Sequence, residues 1–138
     1  MTVTFGEVLL RLTPPSKRRI TQAQAFDCFV GGSEANVAAL LAQWDEDASH
    51  VTILPDNGLG RLCAQELHRY GVDLAYTLFD ASPAARQGLY FCEEGASQRP
   101  SRVIYDRRAS SFACASPDDF DWENILRGAD RQIGRAHV

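Results

Sequence analysis

Apolar residues recur at two different spacings in the first half of the chain, and the two spacings alternate. Stretches rich in β-branched and apolar residues, typical of strands, are separated by segments with apolar residues three or four positions apart, typical of helices. Such an alternation predicts βαβ units and therefore a parallel sheet covered by helices. The sequence thus predicts an α/β fold with strands at residues 2–12, 51–54 and 72–79 and a short strand within residues 20–30.

Two helices are predicted between these strands. The first begins after Gly32, with Ser33 as its N-cap and Glu34 adding negative charge to its first turn. Its inward stripe is expected to consist of Val37, Leu40, Leu41 and Trp44. The second helix begins at Gly60 and ends just before Gly71, which occupies the position that follows the C-cap. Its inward residues are expected to be Leu62, Cys63 and Leu67.

The second half of the chain has a different pattern. Two strand-like runs, residues 87–94 and 101–108, are joined by the turn-rich sequence GASQRP, which predicts an antiparallel hairpin. A further helix is predicted to start with Ser116 as its N-cap and Pro117 at its first position. Its apolar face is expected to contain Phe120, Ile125 and Leu126. No strand or helix pattern is recognisable after Ala129.

Composition and charge narrow the class of protein. Hydrophobic residues make up 45% of the 138 residues and charged residues 23%, as in proteins with a packed core. The net charge of −4 gives no electrostatic footprint for nucleic acid, and no apolar run approaches the length of a membrane span. There is no signal-peptide pattern, and the four cysteines lie in apolar contexts without metal-binding spacing. We therefore expect a cytoplasmic protein whose cysteines are buried thiols.

The sequence GGSEAN, at the start of the first helix, is a candidate ligand site. Its spacing matches neither a Walker phosphate loop nor a dinucleotide fingerprint. Adjacent glycines let a ligand approach the backbone closely, a helix N-terminus favours electronegative oxygens, and Asn36 offers a donor and an acceptor. These groups suit a hydroxyl-rich molecule better than a triphosphate. The alternative, which composition alone favours, is a tight turn capped by Ser33.

Polar residues elsewhere allow similar pairs of interpretations. Asp56 and Asn57 follow a predicted parallel strand, at the end where α/β sheets bind ligands, but a turn followed by a helix cap is the more common arrangement. His50 and His68 are expected to be solvated, so no Ser-His-Asp or Cys-His arrangement is predicted.

The predicted hairpin carries the remaining candidate binding residues. Tyr90 lies on its first strand, and Tyr105, Asp106 and Arg107 end its second. Two tyrosines and an arginine that converge can bind a polyol and its carboxylate, the arginine through two parallel hydrogen bonds. The alternative is cross-strand aromatic packing with a solvated charge at the rim.

Four segments together resemble a known family. The sequences GEVLLRLTPP, GGSEANVAALLA, LPDNGLGR and GLYFCEEGASQRPSRVIYDRR occur in the order found in 2-keto-3-deoxygluconate kinases, which are ribokinase-like (PfkB) carbohydrate kinases. The resemblance extends from Val3 to about Ala129. It departs after the first helix, where the family usually has a glycine and this chain has QWDED.

The resemblance implies a ribokinase-like fold with a mostly parallel sheet, flanking helices and a β-hairpin lid at about residues 87–107. It also implies that Mg-ATP phosphorylates a sugar acid and that the lid hairpin forms a homodimer. The backbone of Gly32 and the side chain of Asn36 would contact sugar hydroxyls. Tyr90, Tyr105 and Arg107, with Asp106 beside them, would line the same pocket, and Arg107 would hold the keto-acid end.

The family's ATP loops, anion hole and general-base aspartate lie in a C-terminal part that this chain is expected to lack. We therefore expect no catalytic, ATP-binding or metal-binding residue within it. Residues 1–130 would be the N-terminal part of the kinase domain. Residues 131–138 would be a non-native tail, because IGRAHV resembles one reading frame of a common sequencing-adapter DNA; a natural polar tail is the alternative. Two other functions remain open, a kinase for fructose, ribose or a nucleoside and a non-catalytic module that binds a sugar acid.

Overall fold

The computed structural model describes residues 1–134, which form an α/β structure of three small sheets and three helices. The strands are β1 Thr2–Phe5, β2 Leu9–Thr13, β3 Asp27–Gly31, β4 Ala48–Val51, β5 Ile53–Pro55, β6 Leu78–Asp80, β7 Leu89–Glu93, β8 Arg102–Asp106 and β9 Arg131–Gly134. The helices are α1 Ser33–Gln43, α2 Gly58–Arg69 and α3 Trp122–Arg127.

The sheets divide the chain into a core and a lid. In the core, β1 lies between β4 and β9 and pairs in parallel with both, and β5 pairs in parallel with β6. The lid sheet has the order β3-β2-β7-β8; β2 and β7 are parallel, while β3 and β8 run antiparallel to their neighbours. The predicted α/β fold, with a hairpin formed by β7 and β8, is confirmed.

Three predicted strands have different bounds from those expected. The run at 2–12 is two strands, because the chain leaves the core sheet at Gly6 and enters the lid sheet at Leu9. The run at 51–54 is likewise divided, between β4 and β5. Only the last residues of the run at 72–79 enter a strand, as β6. At the first two breaks the chain passes from one sheet to another, which residue type alone does not reveal.

The predicted inward face of α1 is partly wrong, since Leu41 packs against the core as expected but two of the other predicted residues do not. Leu40 and Trp44 are 44% and 67% exposed, whereas Ala35 and Ala38 are buried together with Glu34. Small side chains allow the helix to approach the core sheet closely, so the alanines lie inside. The predicted cap is also wrong, since Gly32 occupies the N-cap position and Ser33 begins the helix.

The second helix agrees better with its prediction. It begins at Gly58 rather than Gly60, because the Asn57 side chain caps it by accepting from the backbone N–H groups of Leu59 and Gly60. Cys63 and Leu67 are buried as expected, but Leu62 is 41% exposed. Gly71 has a φ of 86° and follows the C-cap, as predicted.

The C-terminal region differs from its prediction in two respects. Ser116 caps a short 3₁₀ turn at Pro117–Asp119, and α3 starts later, with Asp121 as its cap. Phe120 and Ile125 are buried, while Leu126 is 44% exposed. The expectation of no regular structure after Ala129 is wrong over Arg131–Gly134, because these residues extend the core sheet as β9. Residues 135–138 of the predicted tail lie outside the described part of the chain.

Two expectations about reactive side chains are also wrong. His50 is fully buried on β4, where its Nδ1 lies 2.7 Å from the hydroxyl of Thr4. Of the four cysteines, Cys63 is buried but Cys28 and Cys114 are exposed. Across residues 1–134, no helix combines the length and the apolar character needed to cross a bilayer.

Candidate functional site

A cavity of about 420 Å³ lies where the link between β1 and β2, the start of α1 and the lid hairpin meet. It brings together five of the six predicted binding residues. The cavity is lined by Phe5, Gly6, Glu7, Leu9, Gly32, Ser33, Glu34, Asn36, Tyr90, Tyr105, Arg107 and Phe112.

Gly32 and Asn36 form the floor of this cavity. Gly32 has a φ of 139°, and a Cβ there would lie 2.7 Å from the carbonyl oxygen of Glu7. Only glycine therefore lets α1 start so close to the β1–β2 link. The carbonyl of Gly32 accepts from the backbone N–H of Asn36 at 2.8 Å, and Asn36 is exposed and lines the cavity.

The two tyrosines form one wall. Tyr90 and Tyr105 are opposite each other in the β7–β8 ladder, and their ring centroids are 5.8 Å apart. Tyr90 is partly buried beside Gly31, and burial raises the pKa of its phenol, so the hydroxyl stays protonated. Tyr105 is 62% exposed. A neutral phenol both donates and accepts, as a sugar hydroxyl requires.

Arg107 provides the positive charge of the cavity, and Glu7 pairs with it. Arg107 follows β8, and its Nη2 lies 2.6 Å from Oε2 of Glu7. The side chain of Glu7 is only 4% exposed, whereas that of Arg107 is 40% exposed. A guanidinium has five N–H donors in a planar fork. This pair leaves donors of Arg107 available to a second carboxylate.

Asp106 lies outside this cavity. Its carboxylate pairs instead with Arg86, whose Nη2 lies 2.5 Å from Oδ1. Adjacent residues on a strand point to opposite faces, so Tyr105 and Asp106 do not share a side of the hairpin. Asp56 and Asn57 are also elsewhere, where Asp56 pairs with Arg61 and Asn57 caps α2.

Two buried carboxylates of the cavity were missed by sequence reasoning. Glu7 and Glu34 are 7% and 9% exposed. Glu34 accepts from the hydroxyl of Ser33 at 2.8 Å, and a Cβ at Gly6 would lie 2.5 Å from its Oε2. From its position in the sequence, Glu34 is expected only to interact with the helix dipole. The available signal for Glu7 was a charged residue inside the apolar sequence FGEVLLRL.

A larger groove of about 570 Å³ is lined by residues of β3, α1 and α2. It shares Asn36 with the first cavity, but its lining is mainly apolar and includes Phe29, Leu40 and Leu62. Binding sites combine a concave surface with converging polar groups. The smaller cavity has these groups and is therefore the better candidate. Within the part of the chain that the structure describes, no cluster of three or more His, Cys, Asp or Glu side chains can hold a metal ion.

Comparison with known proteins gives a consistent picture. Residues 1–129 match the family described as pfkB family carbohydrate kinase. The crystal structure of 2-dehydro-3-deoxygluconokinase from Thermotoga maritima is 50% identical, with a TM-score of 0.91 over 96% of this chain and 40% of that one. The 2-dehydro-3-deoxygalactonokinase of Haloferax volcanii is 40% identical over 85% of this chain and 36% of its own length. Fructokinase-1 of Oryza sativa subsp. japonica is 37% identical over 94% of this chain and 39% of its own length.

Proposed function

Because the chain belongs to the pfkB family of carbohydrate kinases, we propose that it forms the sugar-binding part of a 2-keto-3-deoxygluconate (2-dehydro-3-deoxygluconate) kinase. The chain spans about two fifths of the length of the relatives it matches. The complete enzyme would transfer the γ-phosphoryl group of ATP to a primary hydroxyl of the sugar acid by in-line attack.

The observation that carries this proposal is the position of Arg107 in a cavity that also contains hydroxyl-binding groups. Gly32, Asn36, Tyr90 and Tyr105 line the same space and offer donors and acceptors to a polyol. Arg107 adds a cation with donors left over from its pair with Glu7. A sugar with a carboxylate at one end matches both kinds of group, since a guanidinium binds a carboxylate through two parallel hydrogen bonds.

We assign no residue of this chain to the phosphoryl-transfer step itself. ATP supplies the phosphoryl group, Mg²⁺ neutralises its charge, and a general-base aspartate activates the hydroxyl. Among residues 1–134 no side-chain cluster suits a metal, so we assign no Mg²⁺ ligand here. We accordingly propose that the 138-residue chain alone binds the sugar acid but has no kinase activity.

A neutral sugar is the second candidate substrate, favoured by the 37% identity to the rice fructokinase. The charge of Arg107 distinguishes the two, because a neutral sugar requires no cation. We also propose a homodimer formed through the lid hairpin and a cytoplasmic location, as the family resemblance implies.

Calorimetric titration of the purified chain provides the test. We expect 2-keto-3-deoxygluconate to bind at least tenfold more tightly than fructose, since hydrogen bonds to charged groups contribute about 1.5–3 kcal/mol. Arg107→Ala should remove this preference while leaving fructose affinity within about twofold. No ATP-dependent phosphorylation of either sugar should be detectable.

Arg61→Ala is the matched control, because Arg61 is an exposed arginine that pairs with Asp56 outside the cavity. It should retain the preference for the acid. Equal affinity of the unmodified chain for both sugars, or a preference that survives Arg107→Ala, would contradict the proposed substrate. Phosphorylation by the chain alone would contradict its proposed lack of activity.

A further inference from the structure

The carboxylate of Glu7 joins the core to the base of the lid. Glu7 lies on the link between β1 and β2, and its two oxygens are held differently, one by a hydrogen bond and the other by an ion pair without hydrogen-bond geometry. The hydroxyl of Ser110 donates to Oε1 at 2.6 Å, and Nη2 of Arg107 lies 2.6 Å from Oε2. The Ser110 hydroxyl in turn accepts from the backbone N–H of Ala113 at 3.1 Å. Both partners of Glu7 therefore come from the segment that follows β8.

Packing fixes this carboxylate further. A Cβ at Gly88 would overlap Oε1 of Glu7 and lie 2.7 Å from Cδ2 of Leu9. Glycine at position 88 thus makes room for the carboxylate where the chain enters β7. A buried charge is stable only when its oxygens are paired. The carboxylate of Glu7 is consequently held in one position, and through the ion pair it restricts the position of the Arg107 guanidinium.

We propose that Glu7 is the positioning residue of Arg107, and that it sets the preference of the cavity for a carboxylate-bearing sugar. The ion pair holds Nη2 of Arg107 against Glu7, while the guanidinium is 40% exposed and lines the cavity. This orientation lowers the entropy cost of binding a second carboxylate. The preference for an acid rests on the proposed function above, whereas the orientation of Arg107 does not.

An argument from charge alone predicts that neutralising Glu7 strengthens binding of the acid, whereas the positioning role predicts that it weakens binding. A negative side chain in the cavity repels an anionic ligand, so its neutralisation would strengthen binding of the acid. Positioning predicts weaker binding, because a neutral glutamine can still accept from Ser110 but no longer forms the ion pair that holds Arg107. The sign of the change therefore separates the two explanations.

The first experiment titrates Glu7→Gln with 2-keto-3-deoxygluconate and with fructose by calorimetry. We expect the affinity for the acid to fall about tenfold and that for fructose to change less than about twofold. Glu7→Asp, which keeps the charge but shortens the side chain, should show the same loss. Glu46→Gln is the control, since Glu46 is exposed beyond the end of α1 and should leave both affinities unchanged.

The second experiment needs no ligand. The ¹⁵N order parameter of the Arg107 Nε–H bond should be about 0.8, as for a rigid group, in the unmodified chain. In Glu7→Gln it should fall below about 0.6, as for a flexible group. Ser110→Ala, which keeps both charges, should give an intermediate value and remains informative if Glu7→Gln does not fold.

The outcomes are distinguishable. An unchanged order parameter, or tighter binding of the acid by Glu7→Gln, overturns the positioning role. If the unmodified chain shows no preference for the acid, the proposed function fails, and the order parameter still decides whether Glu7 orients Arg107.

Discussion

At the scale of single residues, Gly32 is the position where the backbone most restricts the sequence. Its φ of 139° lies in a region that other residues rarely adopt, and a Cβ would be only 2.7 Å from the carbonyl oxygen of Glu7. Gly32→Ala should therefore lower the free energy of unfolding by about 2 kcal/mol, as measured by urea denaturation. It should also weaken sugar binding, because relief of the overlap moves the floor of the cavity.

Gly58→Ala provides the matched comparison for this substitution. A Cβ at Gly58 would meet no atom within 4 Å, and the position is the first of α2. Alanine there should leave stability unchanged or raise it by about 0.5 kcal/mol. If Gly32→Ala and Gly58→Ala lowered the free energy of unfolding equally, the loss would be a general effect of replacing glycine. That result would contradict the role given to the Gly32 backbone.

The candidate site illustrates which residues the sequence could identify. Tyr90, Tyr105 and Arg107 were selected because their chemistry suits a sugar acid, and the structure brings them to one cavity with Gly32 and Asn36. Their role as ligands stays a prediction. The pairing of Glu7 with Arg107 spans most of the chain, and no local pattern encodes such a contact.

At the scale of elements, the apolar periodicity predicted where the helices lie more accurately than it predicted which of their residues are buried. The stripe Val37, Leu40, Leu41 and Trp44 has helical spacing, yet only Leu41 of the four packs against the buried core, and the fully buried residues of α1 include Ala35 and Ala38. A rule that assigns the largest apolar residues to the core fails when a helix lies close to a sheet. The predicted bounds of the first strand were also wrong. The sequence shows one apolar run there, but its two parts, β1 and β2, pair in different sheets.

The lid hairpin is the element most suited to pairing with a second copy. Along β8, the apolar residues Val103 and Ile104 are 47% and 54% exposed, and β8 is an edge strand of the lid sheet. Exposed apolar edge strands favour association. The chain should therefore sediment as a dimer, and Ile104→Lys should make it monomeric. Leu126→Lys is the control, because Leu126 is 44% exposed on α3 outside the lid and should leave the dimer intact. A monomeric unmodified chain would contradict this prediction.

At the scale of the whole molecule, His50 couples folding to pH. The side chain is fully buried, and desolvation lowers its pKa from 6.5 to about 4, although the nearby charge of Glu34 and a hydrogen bond with the Gly6 backbone act in the opposite direction. Burial thus keeps the imidazole neutral in the folded chain, whereas in the unfolded chain it takes up a proton below pH 6.5. Stability must consequently fall wherever only the unfolded state is protonated.

The free energy of unfolding should be nearly independent of this histidine above about pH 7.5 and should fall as the pH is lowered through 6.5 to about 4. The loss amounts to about 3 kcal/mol by pH 4, with a slope of about 1.2 kcal/mol per pH unit near pH 5.5. Urea denaturation between pH 5 and 7 measures this slope in a range where few carboxylates titrate.

His50→Gln should reduce the dependence of the free energy of unfolding on pH, even if the variant is less stable overall. His68→Gln, which changes an exposed histidine on α2, should leave this dependence unchanged. A slope that persists in His50→Gln would mean that another group, and not the buried imidazole, links protonation to folding.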